Sequence, residues 1–520
     1  MNQSIILAFL SFIALSAQER RIEGLIGELF NASTKIEQDR IIKSILNLNP
    51  EIEDVRNLLK RGKRYSKNVP VGWNVFENLC IDGIKRPYHI YIPEDYDPDK
   101  RYMVLFDLHG GVGREELIPE KKFKKRRSLW VKEAKRGKFI YILPLGQKGA
   151  EWWTEVGAQN ILSILKEVKR MYNVNENKVF VSGFSDGGSG SYYMALNHST
   201  PFAGFLPLNG HPGVAQAGGN PVYLPNLSNK PLYVVNTGKD PLYPADKIKP
   251  YIEKMREAGA EVIFRVYKKI GHRLDYAKKE KPLMIEFMRE TERNPFPSKL
   301  TWETASESLG RVHWIRIDSI ADIGNNAEFK DYNPIIKTRR VKIGVYIDTK
   351  FKGEGVRIEK IAKNTLAESL KLRQGDVIIG LDDKKIKNIK DLREILSKKS
   401  PGDSVEIIIT RDGERLIFKG RFKPFKPRPA FDREKLSGRI AAEVKGNRID
   451  VRVKNIAKYT LFISRDQFDL SKDIEVYTNG RLSFKGRVKP NLEFILREAA
   501  ENMDREMIYD NKIEIKVKGS

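Results

Sequence analysis

Apolar residues recur at i, i+3 and i+4 in RIEGLIGELF and DRIIKSILNL, the period of helices that bury one stripe. Residues 18 to about 62 therefore read as a small helical cap or pro-region with no chemistry in it. From about Trp73 the texture changes. PYHIYIP and YMVLFDLHG are strand-like, and Pro93, Asp95, Asp97 and Pro98 punctuate the turn between them. KFIYILPLG reads as a strand, QNILSILKEVKRMY as an amphipathic helix, and KVFVSGF as a short buried strand before a Gly-rich turn and the helical SYYMALNHS. AGFLPLNG and PLYVVNTG follow as strands, then the helix IKPYIEKMREAGA, the strand EVIFRVY and the closing helix PLMIEFMRETER. Strands alternating with helices predict an α/β domain with a mostly parallel sheet covered on both faces. NPFPSKL, from Asn294 to Leu300, is a linker by composition, and the chain beyond it is strand-rich.

A chain of 520 residues exceeds a single core, so two to four domains are expected. The boundaries fall at 1–17 for an export signal, 18–66 for the helical segment and 67–296 for the α/β domain. A first part of a β-rich domain spans 297–337, an inserted module 338–424, and the second part 425–520. The signal is the apolar run Ile5 to Ala17, which ends in the small residues Ser16 and Ala17 and precedes QERR. The run is shorter than the ~20 residues a bilayer span needs, and its leading MNQS lacks Lys or Arg. Export to the periplasm or the medium is the expectation. The single cysteine, Cys80, excludes an intrachain disulfide and a Cys-based metal site, and its apolar setting reads as core.

The formal net charge of +26 reads first as a solvated basic surface and second as attraction to an anionic surface or polymer. The densest run is Lys121 to Lys138. No nucleic-acid motif accompanies the charge, so no nucleic-acid partner is expected.

Gly183-Phe184-Ser185-Asp186-Gly187-Gly188 fits G-x-S-x-G, with a strand before it and a helix after it. A serine on so tight a turn is lifted above the sheet, and side chains at the flanking glycines would collide with neighbouring elements. Its hydroxyl needs a base. His272, in KIGHRLDY, follows the strand EVIFRVY in a loop. His211, in NGHPG, is the competitor, but no strand bearing an acid separates it from Ser185. The acid is Asp240, just after PLYVVNTG, with Asp246 as runner-up and Asp275 in the wrong chain order. His109-Gly110-Gly111-Val112-Gly113 follows a strand as a Gly-rich turn able to aim a backbone N–H at an oxyanion.

LHGGVG, GFSDGG, GKDPLYP and GH together resemble the α/β-hydrolase esterases related to feruloyl and acetylxylan esterases, polyhydroxybutyrate depolymerases and the phospholipase/carboxylesterase group, over roughly residues 70 to 295. The resemblance implies an α/β-hydrolase fold and hydrolysis of carboxylic esters without a cofactor or metal. It implies Ser185 as nucleophile, His272 as base then acid, Asp240 as its orienter, and Gly111 and Asp186 as oxyanion donors. The substrate stays open among carbohydrate-linked, phenolic and polyester compounds. Trp152 and Trp153, after the strand KFIYILP, are candidates for an aromatic substrate platform or for core, and His211 for the pocket rim.

The module at 338–424 resembles the PDZ domains of bacterial exported proteases, with Gly375-Asp376-Val377-Ile378-Ile379 in the expected pattern. The resemblance implies a groove for a peptide or protein C-terminus, with Ile343, Gly344 and Val345 on the strand side and Leu392 and Leu396 on the helix side. An empty groove in a packing module is the plainer reading. The segments flanking the module are each too slight for a complete domain, and RIAAEVKGNRIDVRVKNIAKYTLFISRD alternates like antiparallel strands. One discontinuous β-rich domain interrupted by the module is expected. The same residues also fit two other functions: a serine peptidase using the same triad, and a non-catalytic PDZ scaffold.

Overall fold

In the computed structural model, residues 17–117, 130–219, 221–336, 341–424 and 427–519 are described. The chain divides into two units, residues 1–333 with 431–520, and residues 334–430. The candidate export signal up to Ser16 and the first part of the basic run, 121–129, lie outside the described residues.

In the first unit, α1 (Ala17–Asn31), α2 (Lys35–Leu46) and α3 (Ile52–Arg61) form where the periodicity places them. Thr34 and Glu37 make a reciprocal capping box at the start of α2. The apolar stripes of these helices do not close on one another alone. Ile26, Ile45, Val55 and Leu59 share a core with Ile495, Leu496 and Ala499 of the helix Leu492–Asn502. The buried Arg56 ties the segment down through Asp510 at 3.0 Å and Asp466 at 2.9 Å.

The α/β region is an eight-stranded sheet. Its strands are β1 (Gly72–Leu79), β2 (Lys85–Ile92), β3 (Tyr102–Leu108), β4 (Ile140–Pro144), β5 (Val174–Phe184), β6 (Gly204–Leu208), β7 (Leu232–Thr237) and β8 (Val262–Tyr267), in the order β1-β2-β4-β3-β5-β6-β7-β8. β1 and β2 run antiparallel, and β3 to β8 run parallel. Every residue of β4, β6 and β7 is buried, as apolar runs without alternation require in a sheet covered on both faces. Helices α4 (Val131–Gly137), α5 (Glu155–Met171), α6 (Asp186–Asn197) and α7 (Ala245–Glu257) lie in the crossovers, and α8 (Ala277–Glu290) follows β8. Because β3, β5, β6, β7 and β8 are parallel, the loops carrying His109, Ser185, Asn209, Asp240 and His272 all leave from one edge of the sheet.

Beyond the linker the first unit continues as two sheets. Strand Lys299–Thr304 pairs antiparallel with Gly438–Lys445, placing Trp302 opposite Ile440. Strand Ile315–Ile320 pairs with Ile456–Ile463. Trp302, Trp314 and Ile317 thus share one core with Ile440, Val451 and Tyr459. Strands from both sides of residues 334–430 bury one another.

The second unit is a sheet in the order Val345–Ile347, Val356–Ile361, Val377–Leu381, Ser404–Arg411, Glu414–Arg421, with helices Leu366–Ser369 and Ile389–Ser397. Ile358, Ile378, Ile407 and Leu392 fill its core. Its limits run a few residues beyond 338–424, because Ile335 and Ile336 pair with Pro429 and Arg428 in a short antiparallel stem. Just outside the stem, the Asn333 side chain clasps Phe431, donating to its carbonyl at 2.7 Å and accepting from its N–H at 3.0 Å.

The clasp sets up a deletion experiment. Replacing residues 338–424 with a short Gly/Ser linker should leave the first unit folded, since its ends are already held together. Thermal melting and limited proteolysis check this. A product that fails to melt cooperatively would show that the two flanks need the module.

Candidate active site

Ser185 follows the last residue of β5 and caps α6 with φ 61° and ψ −121°, a conformation strained for any residue but glycine. The turn is possible because its neighbours lack side chains. A Cβ at Gly187 would stand 1.8 Å from the Leu108 carbonyl oxygen, and one at Gly110 would stand 2.8 Å from the Ser185 Cβ. The serine backbone N–H donates to the Leu208 carbonyl at 3.0 Å, fixing the turn to the neighbouring strand end.

Three side chains from three loops meet there. The Ser185 Oγ lies 2.8 Å from His272 Nε2, and His272 Nδ1 lies 2.7 Å from Asp240 Oδ2. A carboxylate only accepts, so Nδ1 carries the proton and Nε2 is left to accept from the serine hydroxyl. Asp240 is 2% exposed, and burial pushes its pKa up. Hydrogen bonds outweigh that: Asn209 and His272 donate to Oδ2, and the N–H groups of Tyr243 and Leu242 donate to Oδ1, so the pKa falls below the usual carboxylate value. The ring of Phe184 lies 4.8 Å from that of His272, and Tyr243 closes on it from 6.1 Å.

Asn209 was not singled out in the sequence. It is fully buried and adopts φ 46° at the end of β6. Its amide nitrogen donates to Asp240 at 2.8 Å and to Thr237 Oγ1 at 2.6 Å, and its oxygen accepts from the Tyr276 hydroxyl at 2.8 Å. Thr237 in turn donates to the Gly271 carbonyl at 2.7 Å. The loop bearing His272 is therefore pinned on both sides of the histidine. An Asn-Gly pair after a strand is the one local signal for this residue, and it reads equally well as an ordinary turn.

Two expectations need correction. The Gly111 N–H, expected as an oxyanion donor, donates instead to the Asp186 carboxylate at 2.7 Å, and the Val112 N–H joins it at 3.1 Å. Asp186 opens α6, where the helix dipole favours an anion, and the backbone around Gly111 turns its amides toward that carboxylate. The Asp186 backbone N–H, the other expected donor, is the first amide of α6, next to the serine. Trp152 is fully buried, so it belongs to the core and forms no substrate platform. Its Nε1–H donates to the His109 carbonyl at 2.8 Å and its ring meets the His109 ring edge-on at 5.2 Å. That ring is fixed further, since His109 Nε2 accepts from the Gly146 N–H at 3.0 Å. Trp152 thus shapes the His109–Gly113 loop from behind. Trp153 stays partly exposed.

His211 does not reach Ser185 in place of His272. Its Nδ1 accepts from the Gly213 N–H at 2.9 Å, and its ring packs on Tyr251 at 4.8 Å and Tyr243 at 5.8 Å. Burial holds both His211 and His198 down to about 4, so neither ring changes charge between pH 5 and 8. The consequence for stability has a definite sign. Between about pH 6.5 and 4 the unfolded chain binds protons that these folded sites refuse, so stability is complete above 6.5 and is lost as pH falls toward 4. Thermal melts between pH 7 and 4.5 should show the fall, and His198→Gln or His211→Gln should flatten it. Unchanged slopes in both variants would contradict the assignment.

In the second unit, a groove of about 670 Å³ runs between the Lys342–Val345 segment and the helix Ile389–Ser397, with Leu392 and Leu396 on the helix side. Ile343, Gly344 and Val345 line the opposite wall, and Gly344 adopts φ 94°. The five residues expected at a PDZ groove are thus brought together.

Comparison with known proteins agrees with this division. The dienelactone hydrolase family matches residues 146–311 and the PDZ domain family matches residues 328–419. A bifunctional acetylxylan esterase/xylanase of Neocallimastix patriciarum is 26% identical over 131 residues, 25% of this chain and 18% of that protein. A probable feruloyl esterase C of Aspergillus niger is 27% identical over 139 residues, 26% of this chain and 50% of that protein. Among solved structures, a thermostable esterase aligns over 42% of this chain and 63% of its own, with 20% identity and a TM-score of 0.37. The chain spans half or less of the length of these two curated relatives. It carries a hydrolase region of the α/β-hydrolase type and a PDZ domain.

Proposed function

We propose that the protein is an exported serine hydrolase that cleaves carboxylic esters through an acyl-enzyme, with a PDZ groove that takes a peptide or protein C-terminus. The observation that carries the enzymatic reading is the continuous relay Ser185–His272–Asp240, at 2.8 and 2.7 Å, on a strained strand-to-helix turn. The Ser185 Oγ attacks the ester carbonyl while His272 Nε2 takes its proton. Asp240 holds the imidazole in the competent tautomer and stabilises the imidazolium. His272 then returns the proton to the departing alkoxide, leaving the acyl group on Ser185. Water repeats the sequence and releases the acid. Asp186 supplies a backbone N–H to the oxyanion. The Gly111 amide joins it only when the Asp186 carboxylate moves away.

The relatives named for acetylxylan and feruloyl esters favour carbohydrate-linked or phenolic esters as substrates. Export rests on the apolar run from Ile5 to Ala17, and N-terminal sequencing of protein recovered outside the cytoplasm tests it. The enzymatic reading is tested with a fluorophosphonate probe and peptide mapping. Label on Ser185, with turnover of acetyl and feruloyl esters and none of matched amides, is the expected result. Label elsewhere, or faster cleavage of the amides, would overturn it.

A further inference from the structure

The PDZ groove has a charge pattern that nothing in its backbone requires. Its floor is apolar, built from Ile343, Val345, Leu392 and Leu396, while Lys342 and Arg393 stand among the residues lining it and no acidic side chain does. Among the described residues neither cation enters an ion pair. The acids on the same helix are already engaged: Asp391 accepts from the Lys387 N–H at 2.9 Å, and Glu394 pairs with Lys398 at 2.9 Å. Leu392 and Leu396 are one helical turn apart and face the groove, and Arg393 and Ser397 follow them one residue round. The whole unit is basic, with 25 Lys and Arg against 13 Asp and Glu over residues 334–430. Strand Val345–Ile347 is the end strand of its sheet, so an extended peptide can add beside it, with alternate side chains turned toward the helix.

We propose that this groove selects C-termini that combine an apolar terminal residue with an acidic side chain in the last few positions, the acid being read by Arg393 and the terminal carboxylate region by Lys342. This rests on the peptide-binding reading above. A neutral PDZ groove would accept the same backbone without regard to that side chain. Here an acidic side chain gains a partner, and a basic one meets two cations with no anion to relieve them.

The test uses the full chain and three fluorescent decapeptides with free carboxyl ends, identical but for Glu, Gln or Lys two residues before a terminal Val. Anisotropy titrations should rank Glu over Gln over Lys, with Glu about 2- to 5-fold tighter than Gln, the range of an exposed ion pair. The gap should narrow in 1 M salt, where screening shortens to ~3 Å. Arg393→Glu, at an exposed position, should reverse the order of Glu and Lys. Equal binding of Glu and Gln peptides, or an unchanged order in Arg393→Glu, would overturn the selectivity and leave peptide binding standing. Absence of binding by all three would overturn the peptide-binding reading and this proposal with it.

Discussion

Ser185→Ala should lower kcat/KM for ester hydrolysis by about 10³-fold or more while leaving the thermal melt unchanged or slightly lowered. The magnitude follows from losing covalent catalysis, leaving only substrate binding and oxyanion donation. The small size and the sign of the stability change follow from what the side chain touches. Ser185 is held at φ 61° by its neighbours, and its Oγ contributes a hydrogen bond to His272 and no cap to α6. Removing the hydroxyl therefore takes away one hydrogen bond and no packing. Steady-state assays with an aryl ester, with circular dichroism melts on the same samples, check both parts. If the variant keeps a tenth or more of its activity, the nucleophile is another residue.

The second large effect is expected from Asp240→Asn, a change of one atom. Asp240 Oδ1 accepts from the N–H groups of Leu242 and Tyr243, so an asparagine must keep its oxygen there. Its NH₂ then faces both the Asn209 amide nitrogen and His272 Nδ1, which donate to Oδ2 in the native site. Donor meets donor at Asn209. At His272 the NH₂ forces Nδ1 to become the acceptor, which puts the ring proton on Nε2, facing the serine. The base is then blocked by its own proton. A loss of about 10³- to 10⁴-fold in kcat is expected near neutral pH, with KM little changed. Rates above pH 9 should recover part of the loss, as hydroxide takes over the removal of the serine proton. An Asp240→Asn enzyme within tenfold of the parent would place the orienting acid elsewhere.

What the sequence disclosed follows from the range over which each feature is encoded. The alternation of buried strands and amphipathic helices is local, so the order of β3 to α8 could be read from periodicity. The serine turn is also local, since Gly183 and Gly187 flank it within five residues. Chain order then narrowed the choice of histidine and acid, and the structure puts His272 and Asp240 within hydrogen-bond distance of that turn's relay. Features set by approach in three dimensions were not legible. Asn209 matters because β6 ends beside β7, so that its amide meets Asp240. The use of the Gly111 amide depends on which rotamer Asp186 takes at the start of α6. Trp152 was ambiguous because a tryptophan in a loop at the carboxyl edge can face the pocket or stand behind it. Its contacts with His109 and Gly190 put it behind. The partner of the N-terminal helices lies more than 400 residues downstream in Leu492–Asn502, and an apolar stripe does not say which surface will cover it.

The stem at Ile335–Ile336 and Arg428–Pro429 has a thermodynamic consequence for the first unit. While the PDZ unit is folded, the segment joining Asn333 to Phe431 acts on the rest of the chain as a connector of a few residues. If the PDZ unit melts, that connector becomes a flexible loop of roughly a hundred residues. Closing it costs about 3 kcal/mol more, by the (3/2)RT ln n scaling of loop entropy. The two units are thus coupled through the chain statistics of that connector. A peptide that stabilises the PDZ fold, by RT ln(1 + [L]/Kd), keeps the connector short and so protects the first unit from the added burden of an open loop.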